Sequence, residues 1–189
     1  MNKTEFEKKL YRRIAQVSIG ASAIRNQGGS GLIKILRDYF ENEINPSTFF
    51  KALPKKKSYR NYLDYHTDQI LIRFPKGAKS WGGARKGLNL FLRDFVYNGY
   101  FGNKYNVPTE YSELNSFIKY LEVPLDKEVA HGIIQDCQNE KPKWTNIRRL
   151  TPEISEIFQE QADIIANQKG TARVNLDLIY WRSDKTDLS

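Results

Sequence analysis

Between Leu88 and Val96 the chain places Leu88, Leu90, Phe91, Leu92, Phe95 and Val96. At about 3.6 residues per turn these side chains point to nearly every side of a helix. A helix of that kind has no solvent face of its own and must be covered all round by neighbours. The rest of the chain has the pattern to supply them. Phe6, Leu10, Ile14 and Val17 repeat at helical spacing, which predicts a helix from about Thr4 to Ile19. Residues 20–31 are rich in glycine and amides and read as a tight loop, with Ser30 able to cap a helix carrying Leu32, Ile33, Leu36 and Phe40. Ser47 is the expected cap of a short helix ending near Leu53. Ser58 is the expected cap of a longer one reaching Phe74, with Tyr59, Tyr62, Leu63, His66, Ile70 and Leu71 inward.

Pro75 to Gly83 reads as a turn, and the central helix follows it. Residues 97–108 read as a tyrosine-rich loop. Further helices are expected from about Thr109 to Leu121, from Asp126 through Val129 and Ile133, and from Thr151-Pro152-Glu153 to near Gly170. That last start combines a capping hydroxyl, a proline at the first position and an acid in the first turn. A final helix is expected to bury Val174, Leu176, Leu178, Ile179 and Trp181. No β alternation competes with these patterns, so the expected class is all-α, as one domain over residues 1–189.

The single cysteine, Cys137, excludes an internal disulfide, a four-cysteine zinc site and an iron–sulfur cluster held by this chain alone. His66 and His131 do not have metal-ligand spacing with nearby acids, and His66 falls on an apolar helix face. No Ser-His-Asp, phosphate-loop or zinc pattern is present. Neither a signal-peptide pattern nor an apolar run of membrane-spanning length occurs, so the expected setting is cytoplasmic, with no membrane partner.

The charge is concentrated. Residues 51–86 hold ten basic side chains against Asp64 and Asp68, a surplus equal to the chain's net charge of +8. Lysines beside glycines at a helix start suit phosphate, because backbone N–H groups and the helix dipole act with the side chains. Lys141, Lys143, Arg148 and Arg149 form a smaller basic group. Nucleic acid is the expected partner.

With these residues in view, a resemblance emerges. Gly82-Gly83-Ala84-Arg85-Lys86-Gly87-Leu88 resembles the hairpin and second helix of the helix-hairpin-helix DNA glycosylase superfamily. That family carries a Gly-x-Gly-Arg-Lys-Thr-Ala-type phrase there. Val123-Pro124-Leu125-Asp126-Lys127-Glu128-Val129 resembles its later Val-Pro-Val-Asp-Thr-His-Val phrase. Among its members, the small cluster-free 8-oxoguanine glycosylases are the most similar type. The resemblance implies a two-lobed helical bundle, with a helix-hairpin-helix at about residues 59–97 and the active site between the lobes. It implies a DNA glycosylase, with or without AP-lyase activity, that acts on a base flipped from double-stranded DNA.

In that reading Lys86 is the nucleophile and Asp126 the activating carboxylate. Lys76, Lys79, Gly82, Gly83 and Arg85 hold the DNA backbone. Arg25, Asn26 and Gln27 contact or fill the duplex, and Trp81 and Trp181 line the base pocket. The chain would act as a monomer with no metal or organic cofactor, leaving room only for a monovalent cation at the hairpin. A bland role stands beside each: Lys86 as a phosphate contact, Asp126 as a helix cap, Arg25 to Gln27 as turn residues, and the tryptophans as core. The alternative function is a non-catalytic helix-hairpin-helix DNA-binding protein. A nuclease is disfavoured because no acidic metal cluster is visible.

Overall fold

The computed structural model describes residues 1–20, 23–24, 29–138 and 141–181. Among them the chain forms ten α-helices and no strand: α1 (Lys3–Val17), α2 (Leu32–Glu43), α3 (Pro46–Ala52), α4 (Lys56–Arg73), α5 (Trp81–Val96), α6 (Gly99–Lys104), α7 (Tyr111–Ile118), α8 (Lys127–Asp136), α9 (Pro152–Gln168) and α10 (Leu176–Tyr180). Short 3-10 turns occupy Lys76–Ala78, Ile147–Arg149 and Arg173–Asn175. The expected all-α class holds. No described helix is long and apolar enough to cross a membrane.

α5 is the covered helix that its composition demands. Leu88, Phe91, Leu92, Phe95 and Val96 are all buried, and α1, α2, α4, α6 and α9 pack against it. Phe91 stacks on Phe40 of α2 with ring centres 4.5 Å apart. The apolar interior divides into two clusters. One collects side chains from α1 to α7. The other collects α8, α9 and α10 with Val123, Leu125 and Leu150, and Trp81 at the start of α5 packs against it. α5 therefore reaches from one cluster to the other.

Several helix starts differ from expectation. α2 is not capped by Ser30: its N-cap is Gly31, at a φ of 78° that glycine adopts without strain. α3 is capped by Asn45, whose side chain accepts from Thr48 N, with Pro46 in the first turn, so Ser47 is already inside the helix. α4 begins at Lys56, before Ser58, with no side-chain cap. The expected loop at 97–108 contains α6, because Asn98 caps it by accepting from Phe101 N at 3.1 Å.

Inward faces also shift. Val17 is exposed, as are Leu178, Ile179 and Trp181. α10 has only five residues, and it buries Leu176, Asp177 and Tyr180 while Leu178 and Ile179 face outward.

His66 is buried as a core histidine, its Nδ1 2.6 Å from the Tyr39 hydroxyl. The Tyr62 and Tyr65 rings flank it, and the Arg73 guanidinium lies over Tyr39. Burial pulls its pKa from 6.5 down to about 4. The unfolded chain therefore takes up this proton first. The stability that the neutral ring contributes is complete above about pH 6.5 and is lost as pH falls toward 4. The thermal midpoint should drop across that window, and His66→Gln should flatten the drop; equal slopes in the two proteins would contradict this assignment.

Candidate active site and nucleic-acid interface

The turn between α4 and α5 is shorter than its glycines suggest. Phe74 and Ala78 are buried and anchor it, and the 3-10 turn at Lys76–Ala78 closes with Ala78 N donating to Pro75 O at 2.8 Å. Ser80 then caps α5 by accepting from Gly83 N at 3.0 Å. Gly82 and Gly83 thus lie in the first turn of α5, not in the turn before it. Gly82 is required by a close approach: a Cβ there would stand 2.2 Å from Ile147 O. The segment at 147–150 lies directly against the start of α5.

That approach joins two basic groups that are far apart in sequence. The Arg148 guanidinium donates to Gly77 O at 3.1 Å, and the Ser80 hydroxyl lies 3.4 Å from Ile147 O. Lys76, Lys79, Arg148 and Arg149 are all exposed around this junction. The surface they share is the candidate nucleic-acid interface.

Next to it, one turn into α5, Lys86 is only 8% exposed. Its Nζ donates to Asp126 Oδ2 at 3.1 Å across 40 residues of sequence. Asp126 is the N-cap of α8, its Oδ1 accepting from Val129 N at 3.0 Å. Its side chain keeps 31% of its surface open. The two residues singled out for chemistry therefore face each other.

Side chains from three elements hold the extended segment that carries Asp126. Gln159 of α9 receives Val123 N on its Oε1 at 3.0 Å and returns its Nε2 to Val123 O at 2.9 Å. Arg173 donates to the carbonyls of Tyr120 and Leu121 at 2.8 and 3.0 Å. Glu122 receives a two-pronged contact from Arg85, Nε at 2.8 Å and Nη2 at 3.0 Å, together with Asn89 Nδ2 at 3.0 Å. Burial pushes the Glu122 carboxyl up, but Arg85, with Arg173 and Asn89, outweighs this and holds it below the usual carboxylate range.

Burial likewise works against the Arg85 charge, and Glu122 and Asp64 more than restore it. Asp64 lies 3.0 Å from the guanidinium and Thr67 accepts a further N–H at 3.0 Å. Sequence reasoning missed Glu122, Gln159 and Arg173. Glu122 stood beside the Val123-Pro124 phrase as a signal; the other two are isolated in sequence and left none.

Three expected backbone contacts are corrected. Gly82, Gly83 and Arg85 are buried, and the Arg85 guanidinium is committed to Glu122, Asp64 and Thr67, so none of the three is presented to a phosphate.

The expected base pocket is not assembled as a pair. Trp81 lines a cleft of about 290 Å³ between α4, α5 and α9, whereas Trp181 is 58% exposed at the end of α10 and is not part of that cleft. Neither Lys86 nor Asp126 lines it. Lys86 lies five positions after Trp81, which sets the two about 140° apart around α5. Arg25, Asn26 and Gln27 lie outside the described residues. Against known protein families, curated proteins and solved structures, the chain matches none.

A buried ion pair is costly to break from one side, because the remaining charge stays desolvated, by about 3–5 kcal/mol. Glu122→Ala should destabilise the chain by that order in urea unfolding. Replacing both partners (Arg85→Met with Glu122→Leu) should recover most of the loss. A loss below about 1 kcal/mol in the single variant would show that the pair does not hold the segment.

Proposed function

We propose that the chain is a DNA-binding base-excision glycosylase with AP-lyase capacity, in which Lys86 and Asp126 act on the sugar of a flipped nucleotide. The observation that carries this reading is the 3.1 Å contact between Lys86 Nζ and Asp126 Oδ2, beside the exposed Lys76, Lys79, Arg148 and Arg149. As the bond from C1′ to the base breaks, the base leaves with the electron pair and positive charge develops on the sugar. The Asp126 carboxylate stabilises that charge. Lys86, having passed a proton to the departing base, forms the new N–C1′ bond; the C1′–O4′ bond then opens, O4′ taking a proton from the nitrogen, and the resulting imine leads to strand cleavage.

The partner in this reading is double-stranded DNA, bound by the chain as a monomer. The basic junction supplies backbone contacts that position the duplex without reading sequence.

Borohydride should trap the wild-type chain on duplexes carrying an abasic site or a modified base, and Lys86→Ala should abolish trapping. Asp126→Asn is the sharper variant, since asparagine caps helices as well as aspartate does. Base release should fall about 10²–10³-fold, the scale for losing one stabilising group in a transition state, while the α8 cap is kept. Unchanged base release in both variants would overturn the enzymatic reading.

A second reading, a non-catalytic DNA-binding protein, is favoured by one observation: the cleft lies on a different flank of α5 from Lys86. It predicts binding without an abasic product on any duplex. Both readings share an expectation for the junction. Lys76→Ala and Lys79→Ala should each lower the slope of log affinity against log salt by about 1. Slopes unchanged in both variants would place the duplex elsewhere.

A further inference from the structure

The turn between α3 and α4 carries a second basic group, at the far end of α4 from the junction. Lys51, Lys55, Lys56 and Lys57 fall within one short stretch and are all exposed. None of the four enters an ion pair among the described residues, whereas Arg60, Arg73 and Arg85 farther along all do. Lys56 acts at a distance on Glu156, a carboxylate that Arg60 already holds in a two-pronged pair. The backbone under these lysines is anchored. Ala52 and Leu53 are buried before the turn and Tyr59 after it, and Lys55 N donates to Ala52 O at 3.0 Å. Like charges crowded on one turn repel one another, and a polyanion that neutralises several at once relieves this.

The two basic groups are kept apart. α4 has 18 residues, so its ends stand about 27 Å from each other. Lys55 to Lys57 lie at its start, and Lys76 and Lys79 follow its end. The strip between is acidic. Asp64 and Asp68 come seven and eleven positions after Lys57, which returns both to within about 20° of its side of the helix. Both are exposed, and Glu156 and Glu160 of α9 line the same cleft. A single duplex reaching from one basic group to the other would lay about eight base pairs of phosphate over these carboxylates. Two duplex segments, one at each end of α4, avoid them.

We infer that the chain holds two DNA duplex segments at once, one at the basic junction and the other on Lys51, Lys55, Lys56 and Lys57. This rests on the junction holding DNA, and not on the chemistry of Lys86 and Asp126. The second contact is to phosphates and reads no sequence. It keeps the chain tethered to a neighbouring segment while the junction releases one stretch of duplex and engages another.

Short blunt duplexes of about twelve base pairs, some carrying a donor dye and some an acceptor, should be mixed with the full chain at low salt. Energy transfer is expected at one chain per two duplexes, and excess chain should abolish it by separating them. Sedimentation should find one chain with two duplexes in the complex. Lys51→Gln, Lys55→Gln and Lys57→Gln together should remove the transfer and leave one duplex per chain, bound as tightly as the single duplex at the junction. Glutamine is a good helix former and all three positions are exposed, so the fold is kept. Arginine at the same three positions should restore the transfer. Lys76→Ala with Lys79→Ala should also remove it, leaving one duplex on the lysine turn. A wild-type chain that binds only one duplex overturns the inference: a glutamine variant that then binds weakly puts both groups on that one duplex, and one that binds unchanged leaves the lysines merely solvated. Transfer that survives the glutamine variant overturns it at the lysine turn, and transfer that survives the alanine variant overturns it at the junction. Base release is not read in any of these arms, so the chemistry of Lys86 and Asp126 is decided separately.

Discussion

The contact on which the rest of the arrangement depends is the buried pair between Arg85 and Glu122. α5 is central because its sequence is apolar nearly all round, and that much follows from hydrophobic burial alone. Burial does not decide where the extended segment at 120–126 lies against α5. A two-pronged guanidinium–carboxylate contact does, because its planar geometry tolerates little rotation or slip. Arg85 precedes Lys86 and Glu122 precedes Asp126 by four residues, so fixing the first pair brings the second within reach. Gln159 adds a clamp of the same kind, treating the Val123 peptide as a strand partner would.

Much of this scaffold was legible in the chain. The all-round apolar run at Leu88 to Val96 demanded a covered helix and is one. Thr151-Pro152-Glu153 and Asp126 each marked a helix start because their chemistry is local: a side-chain oxygen serves an N–H three residues on. What could not be read were features set by distant chain. Gly82 looked like a turn glycine, yet it is glycine because Ile147 O presses on it from 65 positions away in sequence. α6 was hidden because two of its six residues are glycine and only Asn98 announces it. The basic residues of 51–86 counted as one group in sequence, whereas the fold sends Arg85 inward and joins Lys76 and Lys79 to Arg148 instead.

Charge therefore has three separate uses around α5. On one flank it forms an exposed basic surface where the α4–α5 turn meets the 147–149 turn. In the interior it is neutralised pairwise and acts as a positioning device. In the Trp81 cleft it is tipped toward carboxylate. Net charge alone would have assigned all three to one polyanionic partner. Separating them requires knowing which cations are already matched, and that is a property of the fold.

The two oxygens of Asp126 show how a structural residue can also be available for chemistry. Oδ1 accepts from Val129 N and is spent on the α8 start. Oδ2 points to Lys86 Nζ. The cap holds the carboxylate at a fixed place and orientation. A surface aspartate brought to Lys86 only by its own attraction would have to be immobilised first. Lys86 is held in turn by its place one turn into a covered helix, flanked by buried Arg85 and Gly87. A cation and an anion that are each fixed by the backbone, and that meet over a partly open carboxylate, form a pair whose geometry does not depend on their mutual attraction.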